Sequence, residues 1–106
     1  MAPATLITGA SSGIGRELTK LFAEDRKDLV LVARNRKKLD EFARDLTAAF
    51  GVAVRVVAKD LARPDTPAEI AKELSSAGIA IDTLVNNAGF GVYGPFGETD
   101  GAQELE

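Results

Sequence analysis

Short apolar runs alternate along this chain with stretches in which apolar residues recur every three or four positions. The runs at residues 5–7, 29–33, 52–58 and 79–85 are apolar or rich in β-branched residues, which is typical of strands in a covered sheet. The stretches between them predict three amphipathic helices. The predicted apolar stripes are Ile14, Leu18, Leu21 and Phe22; Leu39, Phe42, Ala43, Leu46 and Phe50; and Ile70, Ala71, Leu74 and Ala77.

Local signals place the ends of these helices. Gly51 and Gly78 follow the second and third stripes, where a glycine commonly ends a helix. The run Thr66-Pro67-Ala68-Glu69 predicts the start of the third helix, as a capping box with proline at the first helical position. After residue 86 the chain becomes a glycine-rich stretch with no visible period.

Alternating strands and helices predict an α/β fold built on a parallel sheet. Right-handed crossovers place the strands in the order 3-2-1-4, which is half of a doubly wound fold, with the fourth strand at an open edge. We therefore expect residues 1–106 to form the N-terminal part of a single domain. No internal repeat or second domain is visible.

Composition and charge exclude several classes of function. The chain has 106 residues, 13 basic and 16 acidic side chains, and a net charge of −3, which argues against nucleic acid or an anionic membrane as a partner. It contains no cysteine and no histidine, which excludes thiol chemistry and the commonest general base. The N-terminus resembles neither a signal peptide nor a membrane span, so we expect a cytoplasmic protein.

The segment TGASSGIG, residues 8–15, joins the first strand to the first helix. Gly9 permits a sharp turn, Gly13 allows close approach of a ligand to the backbone, and Gly15 allows close packing of the helix. The free N–H groups from Ser12 through Ile14 to Gly15, with the hydroxyls of Ser11 and Ser12, form a cradle suited to a pyrophosphate. The alternative is a tight turn with a serine cap and no ligand.

The end of the second strand indicates which dinucleotide is bound. An acidic residue at this place would hold the adenosine ribose, but Asp28 precedes the strand, and the far end carries Arg34. Because a guanidinium binds a phosphate through paired, charge-assisted bonds, we predict NADP(H) rather than NAD(H) as cofactor, with Arg34 as the discriminating residue. The alternative is that Arg34 belongs to the solvated, basic start of the second helix.

The motifs TGASSGIG and NNAG, both at the ends of predicted parallel strands, resemble the N-terminal half of a short-chain dehydrogenase/reductase. The resemblance covers essentially the whole chain and implies a Rossmann-type NAD(P)-binding domain. It also implies hydride transfer between nicotinamide and the carbonyl or alcohol carbon of a small-molecule substrate. For the parent protein it implies a homo-oligomer.

The resemblance also implies further cofactor-binding residues. Asp60 and Leu61 would contact the adenine, and Asn87, Ala88 and Gly89 would pass beside the nicotinamide ribose. Asn86 and Asp82 are expected to have structural roles. The alternative for Asp60 is a turn residue ahead of Pro64.

We expect no catalytic residue in this chain. Catalysis in the family needs a tyrosine with a lysine four residues on, but Tyr93, the only tyrosine, has Gly97 at that position. The chain is therefore interpreted as a cofactor-binding fragment of an enzyme, inactive by itself. Two alternatives stay open: a non-enzymatic nucleotide-binding or redox-sensing module, and a half-domain that pairs its fourth strand with a partner chain.

Overall fold

In a computed structural model, the structure describes residues 3–11 and 13–87. Strands and helices alternate along this part of the chain. The strands are β1 (Ala4–Thr8), β2 (Asp28–Ala33), β3 (Val54–Ala58) and β4 (Ile81–Asn86). The helices are α1 (Gly13–Glu24), α2 (Arg36–Phe50) and α3 (Thr66–Ser76).

The four strands form one parallel sheet in the order β3-β2-β1-β4, as predicted. Each strand alternates its side chains between two apolar layers. One layer, which we call the α1–α2 face, contains Ile7, Leu29, Leu31, Val85, Ala23, Leu39, Phe42 and Leu46. The other, the α3 face, contains Leu6, Val30, Val32, Val57, Leu84, Ile70 and Leu74. Burial on both faces explains why the central strands contain almost no charged residue.

The apolar stripe predicted for α1 is wrong in part. Ile14 and Leu21 are 69% and 60% exposed, and the fully buried residues are instead Gly15, Thr19 and Ala23. These small residues recur every four positions and allow the helix to lie close to the sheet. The Thr19 hydroxyl donates to the Gly15 carbonyl (2.7 Å), which satisfies the polar group on this buried surface.

Of the helix ends that capping signals predicted, the end of α2 is confirmed and the start of α3 is wrong in its capping residue. Gly51 ends α2 in the left-handed conformation (φ 71°), and its N–H donates to the Thr47 carbonyl, which confirms the prediction. The capping box at Thr66 is wrong, because the N-cap residue of α3 is Asp65. The Thr66 hydroxyl donates to the Asp60 carbonyl (2.7 Å) and so anchors the preceding turn. Within the described residues, no helix has the length and apolar content needed to cross a bilayer.

Candidate functional site

The carboxyl ends of the four strands lie along one edge of the sheet, where parallel α/β folds bind their ligands. Backbone hydrogen bonds join the segments that leave this edge. The N–H of Ala10 donates to the Val32 carbonyl (3.4 Å), so the loop after β1 lies against the end of β2. The N–H of Lys59 donates to the Ala33 carbonyl (3.0 Å), which holds the segment after β3 beside it.

The glycines of the loop between β1 and α1 satisfy three separate geometric demands. Gly9 and Gly13 adopt positive φ angles of 63° and 45°, which favour glycine. A Cβ atom on Gly15 would overlap the carbonyl oxygen of Gly9 and lie 2.8 Å from Nδ2 of Asn87. A Cβ on Gly13 would meet no atom within 4 Å, so this glycine borders open space. The structure thus gives the loop both the tight turn and the open surface that a bound phosphate requires.

The start of α1 provides the electrostatic part of this site. Its first N–H groups have no partner within the helix, and the helix dipole adds partial positive charge there. The first turn of α1 contains no acidic side chain that would repel an anion. Ile14 is exposed, and Ser11 is half-buried beside the loop. Ser12 lies outside the described residues.

Two asparagines join β4 to the strand and loop beside it. The Thr8 hydroxyl donates to Oδ1 of Asn86 (3.0 Å), a buried link between β1 and β4 that agrees with the structural role expected for Asn86. The side-chain amide of Asn87 donates to the Gly9 carbonyl (3.3 Å). Asn87 therefore supports the glycine loop directly. Ala88, Gly89 and Tyr93 lie outside the described residues.

Arg34 follows β2 at the sheet edge, as predicted. Its side chain is exposed, and no carboxylate lies within 4.0 Å of it in the described part of the chain. Asn35 caps α2 by accepting from the Lys38 N–H (3.1 Å). Asp28 lies at the opposite end of the strand, where its carboxylate accepts from the Ala53 N–H (3.0 Å). The end of β2 nearest the glycine loop is therefore followed by the cation of Arg34, whereas the acidic Asp28 lies at the other end of the strand.

Asp60 and Leu61 occupy the turn between β3 and α3. One carboxylate oxygen of Asp60 accepts from the Ala62 N–H (2.9 Å), which is the hydrogen bond of an Asx turn. Leu61 is 8% exposed and packs into the α3 face. The hydrogen bond from Ala62 shows that Asp60 has the turn role that the sequence offered as the alternative to adenine contact.

A cleft between α1 and α2 was not anticipated from the sequence. It has a volume of about 290 Å³ and is lined by Ser11, Arg16, Lys38, Glu41, Phe42 and Asp45. The guanidinium of Arg16 lies over the Phe42 ring, with its carbon 4.1 Å from the ring centroid. The sequence could show that residues 38, 42 and 45 share one face of α2. It could not show that Arg16 on α1 faces them.

Metal binding has no support in the part of the chain that the structure describes. No group of three acidic, histidine or cysteine side chains gathers there in a way that could hold an ion. The site thus combines a glycine loop that borders open space with an exposed cation beside it, at the edge of a parallel sheet.

These features are those of a nucleotide-binding α/β protein, and the family can be named. The profile of the short chain dehydrogenase family matches residues 3–106, so the chain belongs to this family. The resemblance of TGASSGIG and NNAG to the family is confirmed.

Among curated proteins, the chain is similar to the mouse dehydrogenase/reductase SDR family member 7B, with 39% identity over 97 residues. It is also similar to the very-long-chain 3-oxoacyl-CoA reductase of Pyrenophora tritici-repentis, with 38% identity over 99 residues. Both matches cover 89% of this chain but only 30% and 29% of the relatives. The chain therefore spans about a third of the length of these proteins.

Solved structures show the same relationship. A short-chain dehydrogenase from Sphingobium yanoikuyae in complex with NADPH superposes with a TM-score of 0.73 at 46% identity, covering 82% of this chain and 34% of that one. L-sorbose reductase from Gluconobacter frateurii, complexed with NADPH and L-sorbose, gives a TM-score of 0.77 at 43% identity, covering 84% and 34%. The Rossmann-type fold predicted from the sequence is confirmed.

Proposed function

We propose that this protein is an NADP(H)-dependent oxidoreductase, and that the present chain supplies its cofactor-binding part. In this proposal residues 1–106 are the N-terminal part of a single NAD(P)-binding domain. The whole protein transfers hydride between the nicotinamide and the carbonyl or alcohol carbon of a small molecule. Membership of the family and the NADPH complexes of two similar structures support the proposal.

The observation that carries the choice of NADP(H) is the position of Arg34. Its exposed cation lies at the carboxyl end of β2 without a carboxylate within 4.0 Å in the described residues. The hydrogen bond from Ala10 to Val32 brings the glycine loop beside the same strand end. A 2′-phosphate on an adenosine ribose would therefore meet a cation, whereas the described residues that directly follow β2 include no acidic side chain to bind the hydroxyls of an unmodified ribose.

In this proposal, different residues bind different parts of the cofactor. The backbone amides of residues 13–15, with the hydroxyls of Ser11 and Ser12, would hold the diphosphate, for which Gly9 supplies the turn. Arg34 would bind the 2′-phosphate, while Asp60 and the backbone of Leu61 would contact the adenine. Asn87, Ala88 and Gly89 would border the nicotinamide ribose. The bound nicotinamide supplies the hydride chemistry, and this chain's residues bind and orient it.

Several properties of the whole protein belong to the same proposal. The catalytic tyrosine–lysine pair of the family has no counterpart at Tyr93, so we expect this chain by itself to be catalytically inactive. A cytoplasmic location is part of this proposal, and cell fractionation would check it. The whole protein is proposed to be a homo-oligomer, and sedimentation would measure its subunit number.

Calorimetric titration of the full chain with NADP⁺ and NAD⁺ tests the choice of cofactor. Because an arginine–phosphate bond is charge-assisted, Arg34→Ala should weaken NADP⁺ binding by about tenfold or more. NAD⁺ binding should change by less than about twofold, since NAD⁺ has no 2′-phosphate. Arg44→Ala is the matched control, because Arg44 is also exposed but lies in the middle of α2.

The outcomes separate two parts of the proposal. Equal affinity for both cofactors that is unchanged in Arg34→Ala would reject the preference for NADP(H) while leaving dinucleotide binding intact. Absence of heat with either cofactor, from protein whose circular dichroism shows the expected helices and strands, would reject dinucleotide binding altogether.

A further inference from the structure

The cleft between α1 and α2 places two more cations beside the glycine loop. Ser11 belongs to the loop between β1 and α1, and it also lines this cleft together with Arg16 and Lys38. The cleft therefore opens onto the segment that would hold the cofactor phosphates.

Arg16 is held in place by an aromatic contact and not by an acid. Its guanidinium carbon lies 4.1 Å from the centroid of the Phe42 ring. Phe42 is only 2% exposed, so the ring that supports the guanidinium is fixed in the α1–α2 face. Within the described part of the chain, no carboxylate lies within 4.0 Å of Arg16. An arginine stacked in this way keeps its N–H groups available for an anion.

The charges in the cleft are arranged along α2. Lys38 lies in the first turn, while Glu41 and Asp45 follow three and seven residues later. At a rise of about 1.5 Å per residue, Asp45 lies roughly 10 Å farther along the helix than Lys38. The end of the cleft nearest the start of α2, where Asn35 and Arg34 lie, therefore contains Lys38, and Asp45 lies at the far end, while Arg16 lies over Phe42 between them.

We propose that Arg16, stacked on Phe42, and Lys38 complete the binding site for the 2′-phosphate that Arg34 begins. The inference rests on the proposed function, because it concerns the same cofactor. It adds two specificity-determining residues from the helices to the one at the strand end. The competing explanation is that Arg16 only covers Phe42 and contributes to packing between α1 and α2.

Adenosine 2′,5′-bisphosphate and adenosine 5′-monophosphate, which differ only in the 2′-phosphate, are suitable probes. Calorimetry on the full chain should show that Arg16→Gln and Lys38→Gln each weaken binding of the bisphosphate by about fivefold or more. Binding of the monophosphate should change by less than about twofold. Lys37→Gln and Arg44→Gln are the charge-matched controls, since both side chains are exposed on α2 but do not line the cleft.

Three further variants examine the contact between Arg16 and Phe42. Phe42→Leu should weaken binding of the bisphosphate, and in the double variant with Arg16→Gln the two losses should not add, because both act through one guanidinium. Arg16→Lys keeps the charge but loses the planar stack, and it is expected to recover only part of the affinity. Thermal unfolding of each variant identifies any that fail to fold, and Arg16→Lys then replaces Arg16→Gln.

The results distinguish this inference from the proposed function. If Arg34→Ala weakens the bisphosphate selectively but Arg16→Gln and Lys38→Gln do not, Arg16 and Lys38 are not specificity residues, and the proposed function stands. If the two variants weaken both nucleotides alike, the inference is also wrong. If the unmodified chain binds neither nucleotide, the proposed function itself fails.

Discussion

At the scale of single residues, the glycines of the loop are required for different physical reasons. Gly9 and Gly13 are needed for their backbone angles, whereas Gly15 is needed because of what surrounds it. Its missing side chain allows the start of α1 to approach the Gly9 carbonyl and the Asn87 amide. The same contact fixes the loop on which the proposed cofactor site depends.

Gly15→Ala should therefore impair binding as well as stability. The new methyl group would overlap backbone atoms that cannot move without displacing the loop, so we expect a loss of about 1–3 kcal/mol in the free energy of unfolding. NADP⁺ affinity should fall by more than about tenfold, because the amides of the loop no longer point at one place. Urea unfolding and calorimetry measure the two effects.

Gly51→Ala is the matched control for this substitution. Gly51 has a φ of 71° but open space around its Cβ position, so alanine there should cost about 1–2 kcal/mol through backbone strain alone. Because Gly51 ends α2 far from the loop, NADP⁺ affinity should be unchanged. Unaltered NADP⁺ binding in Gly15→Ala would show that the close contact is not what shapes the site.

At the scale of whole elements, α3 is attached to the sheet by two kinds of contact. Arg55 on β3 pairs with Glu73 (3.3 Å), and Lys59 pairs with Glu69 (3.3 Å). These side chains are between a third and about half exposed, so water and salt screen both pairs. Leu74, by contrast, is 2% exposed in the apolar layer of the α3 face.

We expect the apolar contact to dominate. Leu74→Ala should lower the free energy of unfolding by about 2–5 kcal/mol, because it leaves a cavity in a packed layer. Glu73→Gln and Glu69→Gln should each cost less than about 1 kcal/mol, with a smaller effect at high salt. Urea unfolding at two salt concentrations checks both expectations. A loss for Glu73→Gln equal to that for Leu74→Ala would assign the anchoring to charge instead.

Hydrophobic periodicity predicted the elements well and the buried face of α1 poorly. The strand order followed from short apolar runs and the handedness of crossovers, which local sequence determines. The buried stripe of α1 consists of Gly15, Thr19 and Ala23, and a search for large apolar residues favours Ile14 and Leu21 instead. Close packing of a helix against a sheet requires small side chains on the buried face, and a search based on hydrophobicity does not detect small side chains.

The site shows the same division between local and tertiary information. The glycine loop and Arg34 follow directly after strands, so their place at the sheet edge could be predicted from the sequence. Arg16 and Phe42 lie 26 positions apart, and only the packing of α1 beside α2 brings them together. A hydrogen-bonded turn at Asp60 was likewise one of two interpretations until its contacts were known.

At the scale of the whole molecule, one local region is basic although the net charge of the chain is negative. The chain carries −3 overall, yet four of the five residues from 34 to 38 are basic. Arg36 pairs with Asp40 at 3.9 Å, but in the described part of the chain neither Arg34 nor Lys38 has a carboxylate within 4.0 Å. An anionic cofactor would thus meet a local positive field on a protein that otherwise repels it.

This charge distribution predicts that added salt should weaken the binding of NADP⁺ more than the binding of NAD⁺. The two cofactors share the diphosphate, which in the proposed site would accept short-range hydrogen bonds from the same backbone amides in either case. Only NADP⁺ adds a 2′-phosphate, which would be recognised by exposed cations whose field is screened over about 10 Å at 0.1 M salt and about 3 Å at 1 M. Calorimetry from about 0.05 to 0.5 M salt should therefore show the ratio of the two affinities decreasing. A ratio that stays constant while both affinities fall would mean that exposed cations do not distinguish the cofactors.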